Sequence, residues 1–150
     1  MQLADVLTAD RIRLDVTASS KKTLLEKVAA LLAKDANSAA ERDIFESLCQ
    51  RERLGSTGLG FGVAIPHGRN QGQQDIVGAL IRLKKPIDFD APDQQKVDLF
   101  FALAIPEECS DAHLKLLANL AEFFKDPDQL DSVRVAESPE TLLTLMQYGE

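Results

Sequence analysis

The chain contains two histidines, His67 and His113, so any imidazole chemistry falls to one of them. The neighbours of His67 single it out. Pro66 fixes its own φ and restricts Ile65 to extended backbone, while Gly68 brings no side chain that could block a large group arriving at the ring. Together these residues predict an imidazole at the end of a buried strand, rigid behind and open in front. With an ordinary pKa near 6.5, such a ring can act as general base, metal ligand or nucleophile.

Several chemistries lack their remaining residues. A zinc site needs three or four ligands at characteristic spacings, and no HExxH, CxxC or close histidine pair accompanies His67. No metal site or cofactor is therefore expected. A serine hydrolase needs GxSxG, which Gly55-Ser56-Thr57-Gly58 does not provide. Gly55 and Gly60 bracket four residues as in a phosphate-binding loop, but Phe61 and Gly62 stand where Lys and Ser/Thr are required. Cys109 and His113 are four apart, which keeps a cysteine nucleophile open as a minor alternative, although a helix cap at Ser110 would leave Cys109 just outside the helix.

Attack by histidine on phosphorus remains, and it needs groups that hold a dianion. Arg51 can supply a bidentate fork. Ser56 and Thr57 have hydroxyls suited to donation, and a helix beginning near Ser110 would aim free backbone N–H groups at an anion, with His113 in its first turn. Each feature also has a plain structural role: a solvated arginine at a helix end, or turn capping by the two hydroxyls.

The elements that must position these groups are legible. Ser19 and Ser20 cap a predicted helix from Lys21 to Lys34, with Leu24, Leu25, Val28, Leu31 and Leu32 on one face. Ser38 and Glu41 form a capping-box pattern before a second helix that carries Ile44, Phe45, Leu48 and Cys49 to about Arg53, where Gly55 stops it. From Gly55 to Gly68 five glycines in fourteen positions predict a turn, then a short buried strand ending at Pro66. Asp75–Lys84 and Val97–Ile105 are strand-like, the second apolar enough to be central. A third helix should start at Ser110 or Asp111 and bury Leu114, Leu117, Ala118, Ala121 and Phe124. Asp126-Pro127 and Ser138-Pro139 open two shorter helices. Helices before and after the strands predict one layered α/β domain over residues 1–150.

Composition bounds the function. The 150 residues are 45% hydrophobic and 27% charged, as in globular proteins that need no staple to fold. A net charge of −7 without a basic stripe argues against nucleic acid and for a basic partner protein. No run of 18 apolar residues and no secretory leader pattern is present, and Cys49 and Cys109 lie far apart, so a reduced, cytoplasmic protein that is not membrane-embedded is expected.

The segment Glu52–Gly68, ERLGSTGLGFGVAIPHG, resembles the active-site signature of the mannitol/fructose-type enzyme IIA domains of the bacterial phosphotransferase system, with Glu52, Leu59, Gly60 and Val63 through Gly68 at the signature positions. The GSTG turn, the block KKPIDFDAPDQQKVDLFFALAIP and the stretch HLKLLANLAEFF are similar to the nitrogen-regulatory members. The resemblance implies a mixed central sheet flanked by helices on both faces. It implies that His67 is phosphorylated through Nε2, with His113 as second active-site histidine and Arg51 as the pocket arginine. It further implies a histidine-containing phosphocarrier protein as donor. Regulation of a partner such as a transporter or sensor kinase then follows, or alternatively transfer to a separate IIB protein.

Overall fold

The computed structural model describes residues 2–34, 40–108 and 110–148. Two 3-10 turns, Leu3–Asp5 and Ala9–Arg11, precede strand β1 (Ile12–Val16). Helices α1 (Lys21–Leu32) and α2 (Glu41–Arg53) follow, then β2 (Gly58–Gly60), β3 (Val63–Ala64), β4 (His67–Asn70), β5 (Val77–Ile87) and β6 (Val97–Pro106). Helices α3 (Asp111–Lys125), α4 (Pro127–Val135) and α5 (Pro139–Tyr148) complete the chain.

The strands form one mixed sheet in the order β1-β5-β6-β3-β2, with β4 also beside β6. β5 and β6 run antiparallel, whereas β1 is parallel to β5, and β3 and β4 are parallel to β6. β6 is buried on both faces, as its continuous apolar run predicts. Leu99, Phe101, Leu103 and Ile105 join Leu116, Leu120, Phe124 and Leu142 on one side of the sheet. Phe100, Ala102 and Ala104 meet Leu24, Val28, Ile44 and Leu48 on the other. Alternation along one strand therefore builds two cores, α3–α5 over one face and α1–α2 over the other.

Helix ends follow the capping chemistry. The Ser20 hydroxyl accepts from Thr23 N–H at 3.2 Å, Ser110 from His113 N–H at 3.4 Å, and Asp126 from Asp128 N–H at 2.9 Å ahead of Pro127. The α2 start differs from expectation: Ser38 lies outside the described residues, and Ala40 takes the N-cap position without a side-chain bond. At the other end Gly55 N–H bonds to Glu52 O at 3.1 Å with φ +147°, ending the helix as expected.

Two expectations are corrected by tertiary packing, and one strand is added. Helix α3 buries Leu116, Leu120, Phe123 and Phe124, not Leu114, Leu117, Ala118 and Ala121; Leu114 is 55% exposed. Apolar residues nearly encircle this helix, so two stripes satisfy the helical period and contact with the sheet selects one. The strand expected to end at Pro66 stops at Ala64, and His67 instead opens β4. β1 pairs with β5 through Ile12 and Leu80, although its alternation is too short to stand out in the sequence.

Candidate active site

β4 places His67 beside Leu103 of β6, and Pro66 O receives the Leu103 N–H at 2.9 Å. Successive strand residues point to opposite faces, so His67 and Arg69 share the face on which Leu103 and Ile105 meet α3, while Gly68 faces α2. A Cβ on Gly68 would lie 2.2 Å from Ser47 Oγ and 2.9 Å from the Ser47 carbonyl carbon. The missing side chain thus serves the close approach of α2 to β4, a role beyond the clearance that the sequence reading assigned to it, and Gly68 also lines the cavity with His67. That approach carries Arg51, in the last turn of α2, to the same cavity as His67.

The cavity has a volume of about 750 Å³. His67 lines it with Arg51, Arg53 and Arg69, while Leu54, Leu114 and Leu117 provide an apolar wall. In a chain of net charge −7, three guanidinium groups and no carboxylate line this space among the described residues. Such a local field favours a bound anion. Arg53 and Arg69 were missed by sequence reasoning. The signal for Arg69 was the strand period, which puts it two positions along on the His67 face.

His67 Nδ1 lies 2.7 Å from Ile65 O. A carbonyl can only accept, so Nδ1 carries the proton and the neutral ring keeps its lone pair on Nε2. Burial pushes the ring's pKa below the ordinary 6.5; the Ile65 bond opposes this, Arg51 and Arg69 reinforce it, and Glu52 opposes it. His113 has the reverse arrangement. Its Nδ1 accepts the Ser110 N–H at 3.1 Å, so in the neutral ring Nε2 bears the proton. His113 precedes the wall residue Leu114 but does not itself line the cavity.

Two expected donors are engaged elsewhere. Ser56 Oγ donates to Phe89 O at 3.1 Å and accepts from Gly58 N–H at 3.1 Å. The Thr57 hydroxyl is buried and donates to Glu52 Oε2. Neither side chain lines the cavity, and both instead fix the glycine turn. Arg51 remains at the site, with Nη1 donating to Gly55 O at 2.8 Å. Pro66 is buried between β3 and β4. Cys109, the alternative nucleophile, lies outside the described residues, and no group of three or more His, Cys, Asp or Glu that could hold a metal occurs among those described.

Residues 5–148 match the family described as phosphoenolpyruvate-dependent sugar phosphotransferase system, EIIA 2. The chain belongs to this EIIA 2 family. The nitrogen regulatory protein of Pseudomonas aeruginosa is 40% identical over 146 residues, covering 97% of this chain and 95% of that protein. The crystal structure of nitrogen regulatory protein IIA-Ntr from Neisseria meningitidis superposes with a TM-score of 0.91 at 41% identity, covering 96% of this chain and 98% of that one. IIA mannitol from Escherichia coli shares the fold, with a TM-score of 0.78 at 20% identity, covering 93% of this chain and 98% of that one. The mixed sheet between helical layers is thus the mannitol-type IIA fold. Within the described residues, no helix of this EIIA 2 protein is long and apolar enough to cross a membrane.

Proposed function

We propose that this protein is a phosphocarrier of the nitrogen branch of the phosphotransferase system, working in the cytoplasm. His67 accepts a phosphoryl group from the phosphohistidine of a histidine-containing phosphocarrier protein. The lone pair on Nε2 attacks phosphorus in line, a new N–P bond forms, and the donor's N–P bond breaks with its electron pair returning to the donor imidazole. The observation that carries the reading is the Nδ1–H bond to Ile65 O, which leaves Nε2 bare on a ring lining an arginine-rich cavity.

Arg51 and Arg69 are the cations for the equatorial oxygens, and burial keeps the ring neutral and nucleophilic at physiological pH. His113, one residue before the wall residue Leu114 and protonated on the opposite nitrogen to His67, would have to turn toward the cavity to donate to the transferred group. Phosphorylation adds roughly −1.5 to −2 charges among these cations. A regulatory partner reading this face therefore meets a different surface in each state.

Radiolabel from the charged donor should appear on wild-type protein, map to His67, and vanish in His67→Ala. Unchanged labelling of that variant would refute the assignment. Label retained while the phosphorylated protein captures a transporter or sensor kinase supports regulation; label chased onto a IIB protein supports onward carriage.

A further inference from the structure

The signature residue Glu52 does not enter the cavity. It sits in the last turn of α2 with a side chain only 5% exposed, so its carboxyl group needs partners that account for its burial. Lys21 Nζ lies 3.0 Å from Oε1, Thr57 N–H donates to the same oxygen at 3.3 Å, and the Thr57 hydroxyl donates to Oε2. The chain of bonds then continues through the backbone. Thr57 O accepts the Ile65 N–H at 3.1 Å, and Ile65 O accepts the His67 Nδ1–H at 2.7 Å.

An unbroken series of hydrogen bonds thus runs from the first residue of α1, through Glu52, Thr57 and Ile65, to the imidazole. A second anchor holds the same turn: Lys21 lies 4.5 Å from the centre of the Phe89 ring, and Ser56 binds Phe89 O. Glu52 and Thr57 face away from the site of phosphoryl transfer, so neither touches the reacting atoms. Their bonds fix the backbone at Thr57, the Thr57 carbonyl fixes Ile65, and the Ile65 carbonyl selects which ring nitrogen keeps its proton.

We infer that Glu52 and Thr57 are positioning residues that set the His67 tautomer, holding Nε2 free as the attacking atom through the Thr57–Ile65 backbone link. The catalytic consequence rests on His67 being the phosphoryl acceptor; the tautomer link does not. Without the Thr57–Glu52 bond the turn loosens, the Ile65 carbonyl loses its fixed place, and the proton redistributes toward Nε2, where it blocks attack. Removal of the partner that orients a metal-ligating histidine lowers activity by about 10- to 100-fold, and a loss of the same order is expected for this imidazole.

The test uses the whole protein, with ¹⁵N-labelled imidazoles observed by NMR at a pH where His67 is neutral, alongside the rate of label uptake from the charged donor. Thr57→Val preserves shape and every charge but removes the hydroxyl; Thr57→Ser restores it. Thr57→Val should make Nε2–H the major tautomer, with the Nδ1–H fraction and the uptake rate both falling to about a tenth of wild type, while Thr57→Ser stays within about twofold of wild type. A folded Thr57→Val protein with the wild-type tautomer overturns the inference, as does one whose tautomer shifts while its uptake rate holds. Should Thr57→Val not fold, Glu52→Gln carries the same two readouts, and a wild-type tautomer there overturns it equally. Wild-type protein that takes no label refutes the phosphocarrier reading instead, and the tautomer response still decides the link from Glu52 and Thr57 to the ring.

Discussion

Burial, before any neighbouring charge, keeps the His67 ring neutral to lower pH than a free imidazole, and Arg51 and Arg69 act in the same direction. Two consequences follow, and both appear as pH falls. Phosphoryl uptake should be flat across neutral pH and fall only as pH drops below the lowered pKa, where protonation removes the Nε2 lone pair; a rate–pH profile on wild-type protein checks this. Stability has its own signature. Because the unfolded chain binds this proton near pH 6.5 and the folded chain only below it, the His67 contribution is complete above about 6.5 and is lost as pH falls through the folded value. Urea midpoints of wild type should therefore drop more steeply between those pH values than those of His67→Ala.

The contact between α2 and β4 decides whether Arg51 joins Arg69 beside His67. Gly68 permits the approach, and a Cβ there meets Ser47 backbone as well as its flexible hydroxyl. Gly68→Ala should cost about 1–3 kcal/mol by overpacking, read as a lower denaturation midpoint, and should slow phosphoryl uptake because α2 retreats with Arg51. The β2–β3 hairpin is held from the other side of the chain. Gly62, at φ +78°, leaves space for Arg134, which binds Phe61 O at 2.5 Å and Asp98 at 3.0 Å. This joins the glycine segment to α4, far along the chain from the signature.

For the molecule as a whole, an acidic surface encloses a cationic, apolar-walled cavity. Leu54 is 86% exposed and Leu114 55% exposed, and both line it. Such side chains add little to folding but offer an apolar anchor to a docked protein. Leu54→Asp and Leu114→Asp should each change the unfolding free energy by no more than about 0.5 kcal/mol. Both should nevertheless weaken donor binding, measured by titration calorimetry with the phosphocarrier. Unchanged affinity in both variants would move the docking surface away from this cavity.

The run from Glu52 to Gly68 by itself pointed to the family and singled out His67 as the proposed reactive residue, because a proline, a histidine and a set of glycines at fixed spacing constrain the backbone locally. Capping at Ser20, Ser110 and Asp126, and the all-apolar β6, likewise needed no knowledge of distant residues. Tertiary structure alone decided which stripe of α3 is buried, because that helix offers two apolar faces and only the sheet chooses between them. It also assigned Gly68 to packing against Ser47 and brought Arg51, Arg53 and Arg69 together. It turned the Thr57 hydroxyl inward to Glu52, away from the anion expected of it. Local spacing specifies conformation within a turn or two; which side chains share a cavity depends on elements separated along the chain and joined only by packing.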